Sequence, residues 1–440
     1  MPGIGTVSTT RPPSNHEPEI GLSRYLSTTP GIGGRLKLTP DAFRVDEVSR
    51  YPCPVAQGRY TIARVESFEI EQNELLHRLS REFGLPDGRI GFAGTKDRRA
   101  VTTQLLSLPV DEARVRNVLL SGVRVLDTYR SNDDLHLGHL FGNCFGIRVQ
   151  SLAVDHDEAE RRVRAIEQEL RGAGGFPNYY GPQRFGEVRP VTHLVGRALV
   201  LGSVAEAVNA YLTIHAEGEL EDGTQARRDF ASHRDPVRGL REFPRTLRFE
   251  RILLERLARG DSPERAFHAL PRHLRTLFVH AYQSYLFNRY LSLRIERGFP
   301  IARPIDGDWL IRLGHDGLSG PLAPVQVSRD NLAEAETMVR SLRGRIAAPV
   351  VGADTPASSG EAGNLMEEIL QQDGATRKSF ALSTLPEMTS SGTFRAVLGR
   401  LPLHFYRPPS PVRADGSADF FFPLEKGEYA TVLLREFMKN

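Results

Sequence analysis

Asp97 stands among three cations, Lys96, Arg98 and Arg99, in the segment GFAGTKDRRAVTTQ at positions 91–104. A carboxylate held beside fixed cations stays ionised. It is then a poor general acid but a competent nucleophile or proton acceptor. The same cations could hold a phosphate and so bring an anionic polymer next to the carboxylate. A nucleic-acid enzyme working through one aspartate is therefore chemically coherent. Two other readings compete. Most Lys-Asp-Arg runs are salt-bridged surface loops. A phosphate-binding Walker loop also has glycines and a lysine, but its lysine follows Gly directly and is itself followed by Ser or Thr. Here Thr95 intervenes and Asp97 follows, where it would repel the phosphates.

The elements that must position Asp97 can be traced from periodicity. RLKLTPDAFRVDEV (35–48) alternates around Phe43 and Val45 and predicts a strand. NELLHRLSREFG places Leu75, Leu76, Leu79 and Phe83 on one helical face, with Asn73 as the cap and Gly84 as the stop. VTTQLLSL alternates again, so Asp97 falls in a loop between a helix and a strand. A further helix (DEARVRNVLL), a strand (GVRVLDTYR), a strand carrying Phe145, Ile147 and Val149 on one face, and a helix (DEAERRVRAIEQELRG) follow. Strands and helices without a regular βαβ repeat indicate an α+β sheet with helices on one side.

Beyond residue 176 the texture changes. GGFPNYYGPQRFG is a Gly, Pro and aromatic loop, the stretch to about 345 reads as largely helical, and GADTPASSGEAGN as a flexible loop. ADFFFPLEKGEYATVLLREFMK predicts a strand, a turn and a terminal helix. That strand needs sheet partners, and the nearest candidates lie before residue 175. The expected organisation is a flexible arm over 1–30, a sheet domain in two pieces, 31–175 and 391–440, and a domain inserted over 176–390.

Composition excludes several classes. A chain of 440 residues, 40% hydrophobic and 25% charged, has length for two or three packed domains and nothing that argues for disorder. Cys53 and Cys144 cannot build a disulfide framework and lack zinc-ligand spacing, which fits a cytoplasmic setting. No signal-peptide pattern opens the chain, and no run of eighteen uncharged apolar residues predicts a membrane span. His193 and His280 have no second ligand at metal spacing and are expected to be structural. Net charge is only +3, yet ten arginines against five acids fall between Arg227 and Arg259. That segment is either a phosphate-facing stripe or a solvated helix face.

Several blocks together resemble the TruD family of tRNA pseudouridine synthases: AGTKDRRAVTTQ, GNCF, NYYGPQRFGEVRPVTHLVGRAL and FFFPLEKGEYATVLLREFMK, with HAYQSYLFN pointing to the archaeal and eukaryotic branch. They occur in the family's order and span roughly residues 33–440. The resemblance implies a pseudouridine synthase fold with a mixed, largely antiparallel sheet, interrupted by the family's inserted TRUD domain. It implies isomerisation of uridine to pseudouridine in tRNA, typically at position 13. Asp97 matches the catalytic aspartate. Lys37 and Phe43 match active-site positions of the first block, Asn143 and Phe145 the residues beside the target base, and Phe422 an aromatic of the last block. Lys96, Arg98 and Arg184 are carried over as substrate contacts. Two departures stand out: Leu-Glu-Lys-Gly replaces a Leu-Pro turn near the C-terminus, and Tyr180 stands where Phe is usual.

This chemistry agrees with the residues. Uridine isomerisation breaks the glycosidic bond, rotates the uracil and rejoins it through C5, with no net redox change and no group transferred, so no metal or organic cofactor is expected. An ionised Asp can attack C1′ or take a proton from C2′. The target nucleotide must leave its stack at a cost of a few kcal/mol, and one aromatic contact returns roughly 1 to 3 kcal/mol. Two aromatics around the base would therefore be useful. Set against core packing, the usual fate of strand aromatics, that role for Phe145 and Phe422 rests on the resemblance. The rival function is a non-catalytic RNA-binding protein that retains the fold, and a more distant one is a nucleotide-dependent RNA enzyme. The expected partner in each case is RNA, tRNA for the first, with no membrane and no metal.

Overall fold

Inward-facing residues at every second position make Phe43–Ser49 a strand, β1, in the computed structural model, which describes residues 16–96, 99–314, 323–406 and 410–440. The strand starts later than the sequence pattern suggests. Lys37 adopts φ 57°, in the left-handed region, and Pro40–Ala42 form a 3-10 turn. A proline without an N–H favours that turn over a ladder. There follow β2 (Tyr60–Phe68), α1 (Gln72–Phe83), β3 (Gly91–Phe92), β4 (Val101–Leu108), α2 (Glu112–Arg116), β5 (Val123–Ser131), β6 (Leu140–Val149) and α3 (His156–Gly172).

The chain forms two compact units, Ser27–Phe176 with Arg400–Asn440, and Met1–Leu26 with Pro177–Gly399. In the first, a mixed sheet runs in the order Ala418–Glu425, β6, β1, β4, β2, β5, with β3 against β4. β1 and β4 are parallel, and the other pairs antiparallel. α1 lays Leu75, Leu79 and Phe83 over Ala63, Val65, Leu106 and Leu108. Its cap is Glu71, whose carboxylate accepts from the Glu74 N–H at 3.3 Å, rather than Asn73, while Gly84 at φ 68° ends it as expected. All eight residues of β4 are buried. One side meets α1, and on the other Leu105 packs with Ile62 and Leu135, so the alternating pattern does not mark an exposed face.

Residues after 400 complete this unit. Ala418–Glu425 pairs along β6 from Ala418↔Val149 to Glu425↔Gly142, the early partner that the terminal strand requires. The helix Ala430–Met438 then returns to residues 27–31. The buried Glu436 carboxylate accepts from the Ser27 N–H at 3.0 Å and hydroxyl at 2.7 Å. Gly31 passes so close that a Cβ there would lie 2.1 Å from the Met438 carbonyl oxygen.

The second unit carries helices from Thr192 to the 25-residue helix Arg272–Glu296. Beyond residue 296 it is not mainly helical: Thr393–Ala396, Gly344–Val350, Trp309–Arg312 and Val325–Gln326 form a four-stranded sheet in that order. Two other expectations are corrected here. Residues 16–26 are no loose arm, because Ile20 and Leu22 are buried and the Asn288 amide and Ser292 hydroxyl donate to the carbonyls of Ile20 and Gly21. GADTPASSGEAGN is likewise built in: Gly360–Asp373 is a helix, the Thr355 hydroxyl accepts from the Gly352 N–H at 3.1 Å, and a Cβ on Gly363 would lie 2.2 Å from the Ser358 oxygen. Small residues serve close packing there, not freedom.

Candidate active site

Strand alternation gathers the candidate side chains on one face. Phe43, Val45 and Glu47 alternate along β1; opposite them on β6 stand Ile147, Phe145 and Asn143, and opposite these Phe420, Phe422 and Leu424. Directly paired residues share a face with Cβ atoms about 5 Å apart. Phe145 meets Phe43 edge-on, with centroids 6.3 Å apart, and lies 5.8 Å from Phe422. Phe422 packs in turn on Phe405 at 6.0 Å and is fully buried, whereas Phe145 keeps 9% of its surface. Phe422 thus offers no free ring face; it backs Phe145.

Asn143 stands directly across from Glu47. Its Oδ1 is buried with no hydrogen-bond partner among the described residues. Such an acceptor costs about 1–3 kcal/mol unless something bonds to it. Lys37, in its left-handed turn, holds Nζ 4.5 Å from the Phe43 ring centroid, close enough for a cation–π contact.

Glu47 is the residue that sequence reasoning misses. The β1–β4 ladder spans only Arg44↔Val101 to Asp46↔Thr103. Beyond it the Glu47 carboxylate takes the place of strand backbone and accepts from the Leu105 N–H at 3.4 Å, as well as from the Ser49 hydroxyl. Its other oxygen is ion-paired with Lys96, the two side chains being 0% and 3% exposed. The expectation that Lys96 faces substrate is corrected by this pair: its ammonium is turned inward, because a buried carboxylate demands a buried cation. The signal in the sequence is an acid at an inward position of an alternating strand. Gly94 leaves the room: a Cβ there would meet Leu140 Cδ2 at 2.9 Å and lie 3.5 Å from Lys96 Nζ. Asp97 and Arg98 lie outside the described residues, and Arg99 is exposed.

Arg184 belongs to the other unit. Its Nε donates to the Ser284 hydroxyl at 3.2 Å and its guanidinium lies 5.8 Å from the Tyr180 ring centroid. In the same unit the arginine-rich segment is not a single stripe. Arg227 is 1% exposed and donates to Glu219 and Glu250 at 2.9 and 2.7 Å, and Arg251 donates to the carbonyls of Leu240 and Phe243. These cations tie helices together, while Arg228, Arg234, Arg238, Arg241, Arg245, Arg248 and Arg259 remain exposed. His193 is wedged between Phe185 and Tyr285, and burial pushes its pKa down to about 4. It is neutral and structural. Cys53 and Cys144 are free thiols; burial raises the pKa of the second. No group of three His, Cys, Asp or Glu suited to a metal occurs among the described residues, and no helix there is long and apolar enough to cross a membrane.

Comparison with known proteins covers nearly the whole chain. The family model described as tRNA pseudouridine synthase D (TruD) matches residues 19–437. A Methanococcoides burtonii protein named "Probable tRNA pseudouridine synthase D" is 34% identical over 97% of this chain and 97% of its own. A Pyrococcus furiosus protein of the same name is 36% identical over 96% and 99%. A crystal structure of the Methanosarcina mazei protein described as a putative tRNA pseudouridine synthase D superposes with a TM-score of 0.82 at 33% identity, covering 96% of this chain and 97% of that one.

Proposed function

Because the chain belongs to the TruD family of tRNA pseudouridine synthases, we propose that it isomerises one uridine of tRNA, at position 13, with Asp97 as the group that acts on the ribose. The unit Ser27–Phe176 with Arg400–Asn440 is the catalytic domain in this reading, and Pro177–Gly399 the insertion.

The observation that carries it is a short chain of neighbours. Asn143 stands opposite Glu47, Glu47 binds Lys96, and Lys96 precedes Asp97. A buried amide oxygen lacking a donor is thus set close to the anchor of the aspartate loop. An extruded uracil offers such a donor in its imide N–H, and bonding it would remove the desolvation cost that Asn143 bears without substrate. Phe145, two residues along the same strand face, supplies the ring on which the base stacks. With Phe422 closed off, the gain from stacking comes from one ring, and the Asn143 hydrogen bond supplies the remainder. Lys37 stands over the Phe43 ring, which Phe145 also contacts, and its charge favours the sugar–phosphate of the target nucleotide.

Asp97 attacks C1′ or removes the C2′ proton. Attack at C1′ expels the uracil through N1 and leaves an Asp97 ester that C5 later displaces. Loss of the C2′ proton instead expels the uracil to leave a 1′,2′-alkene, which takes a proton back at C2′ as C5 bonds to C1′. In both, the uracil turns beside Asn143 and Phe145, the C5 proton is lost and N1 gains one. The isomerisation moves no electron to a carrier, so its balance calls for no cofactor.

The test uses unmodified tRNA transcript and chemical mapping of pseudouridine, with chelator and without nucleotide. The wild-type protein should modify position 13 under those conditions. Asp97→Asn should keep tRNA affinity, which is spread over many phosphate contacts, while product falls to background. Substantial single-turnover activity in Asp97→Asn would overturn the assignment of Asp97.

A further inference from the structure

Within the unit Met1–Leu26 with Pro177–Gly399, an open groove of about 650 Å³ is lined by Arg184, Arg272, His273, Thr276, Leu277 and His280. Five of the six come from the long helix Arg272–Glu296 at offsets 0, 1, 4, 5 and 8, which share one stripe at about 100° per residue. That stripe extends about 12 Å along the axis. Ser284, four residues farther on, continues it and accepts from Arg184 Nε at 3.2 Å, so the guanidinium is laid across the upper end of the groove. The Tyr180 ring supports it from a second direction, and Arg395 in turn lies 4.1 Å from the same ring's centroid. The Arg184 side chain is thereby set in place before any ligand arrives.

Charge distinguishes this groove from its surroundings. Arg275, on the same helix but off the stripe, is paired with Glu387 at 2.5 Å. Arg184 and Arg272 have no carboxylate partner among the described residues, and no acid lines the groove. His280 has its pKa lowered by burial and by the neighbouring Arg184, so it presents a neutral imidazole with one donor and one acceptor. Thr276 adds a hydroxyl, and Leu277 an apolar side chain. The set has donors in excess and no competing anion, the complement of a phosphodiester.

We propose that this groove binds a phosphodiester segment of the RNA substrate, with Arg184 and Arg272 contacting phosphates and His273, Thr276 and His280 completing the hydrogen bonding. The proposal rests on the reading of the protein as a tRNA enzyme and adds the place where a region of that RNA outside the reacting nucleotide is held.

The experiment measures affinity of the full-length protein for unmodified tRNA transcript between about 50 and 200 mM salt, a range over which phosphate contacts change affinity steeply. Removing one phosphate contact should lower the slope of log K against log salt by about 1. Arg272→Gln, at the first position of its helix where folding is not at stake, should lower it by about 1, and the double variant with Arg184→Gln by about 2. Arg340→Gln, at the end of the helix Leu332–Arg340, removes the same charge elsewhere and should leave the slope unchanged. Equal slopes for wild type, Arg272→Gln and the double variant overturn the proposal. So does pyrophosphate binding that the double variant loses while its tRNA slope stays at the wild-type value, which would assign the groove to free polyphosphate. Pseudouridine mapping in the same samples separates the two readings. A wild type that forms no product but shows the slope change keeps the groove and loses the activity; an active wild type whose variants bind unchanged does the reverse.

Discussion

Replacing Lys96 with methionine strands the carboxylate of Glu47 in the interior, where its side chain has no exposure. Removing one member of a buried pair typically costs about 3–5 kcal/mol, because the remaining charge is left without a counter-charge. Glu47 retains the Leu105 N–H and the Ser49 hydroxyl, so the lower figure applies here, about 3 kcal/mol. For a unit of this size each kcal/mol lowers Tm by roughly 2–4 °C, giving a drop of roughly 6–12 °C. The double variant Glu47→Leu/Lys96→Met replaces both charges by apolar groups and should recover most of that stability, as buried pairs elsewhere do. Catalysis should follow a different course. Lys96 adjoins Asp97, and the ion pair fixes the backbone just before the aspartate, so the double variant should remain slow although it is stable. The assay is differential scanning calorimetry beside single-turnover pseudouridine formation at saturating enzyme, on all four members of the cycle. The effect should appear in the single-turnover rate constant with tRNA affinity little changed, since neither side chain reaches the surface. If Lys96→Met melts and reacts like wild type, the pair contributes nothing and Asp97 is held by other groups. If the double variant regains both stability and rate, the pair acts only through folding.

Phe145→Leu and Phe422→Leu should separate stacking from support. The first should lose roughly 1–3 kcal/mol of base capture, seen as a slower single-turnover rate, while the second should cost on the order of 1–2 kcal/mol of stability through the cavity it leaves and keep the rate near wild type; equal rate reductions would contradict the distinct roles drawn from their burial. His193 supplies a pH test. Its pKa is about 4 in the folded protein against the ordinary 6.5, so the unfolded chain binds the proton first on acidification. Its contribution is complete above about pH 6.5 and declines as pH falls towards 4, by about 2 kcal/mol between pH 7 and pH 5. His193→Phe, which keeps a ring between Phe185 and Tyr285, should be less sensitive to that change in urea unfolding. Identical pH dependence in both proteins would remove His193 as the cause.

Much of the protein can be deduced from local pattern. Alternation around Phe43 and Val45, and of Phe145, Ile147 and Val149, marks two strands and ADFFFPLE a third, and the lack of adjacent partners for the last implies a sheet closed by distant segments. The blocks around Asp97, Asn143, Tyr179 and Phe422 suffice to identify the family, because motif order survives where packing detail does not. What the pattern does not convey depends on neighbours remote in sequence. Lys96 reads as a surface cation until the fold brings Glu47, forty-nine residues earlier, beneath it. Arg227 reads as part of a basic stripe until Glu219 and Glu250 enclose it. Phe422 and Phe145 are alike as strand aromatics, and only Phe405, returning from beside the C-terminal strand, covers one and leaves the other an edge. Residue type and spacing determine which elements form and which face turns inward. Whether a charge is paired, a ring covered or an amide left without a donor is decided by which distant groups arrive beside it, and only the tertiary structure contains that.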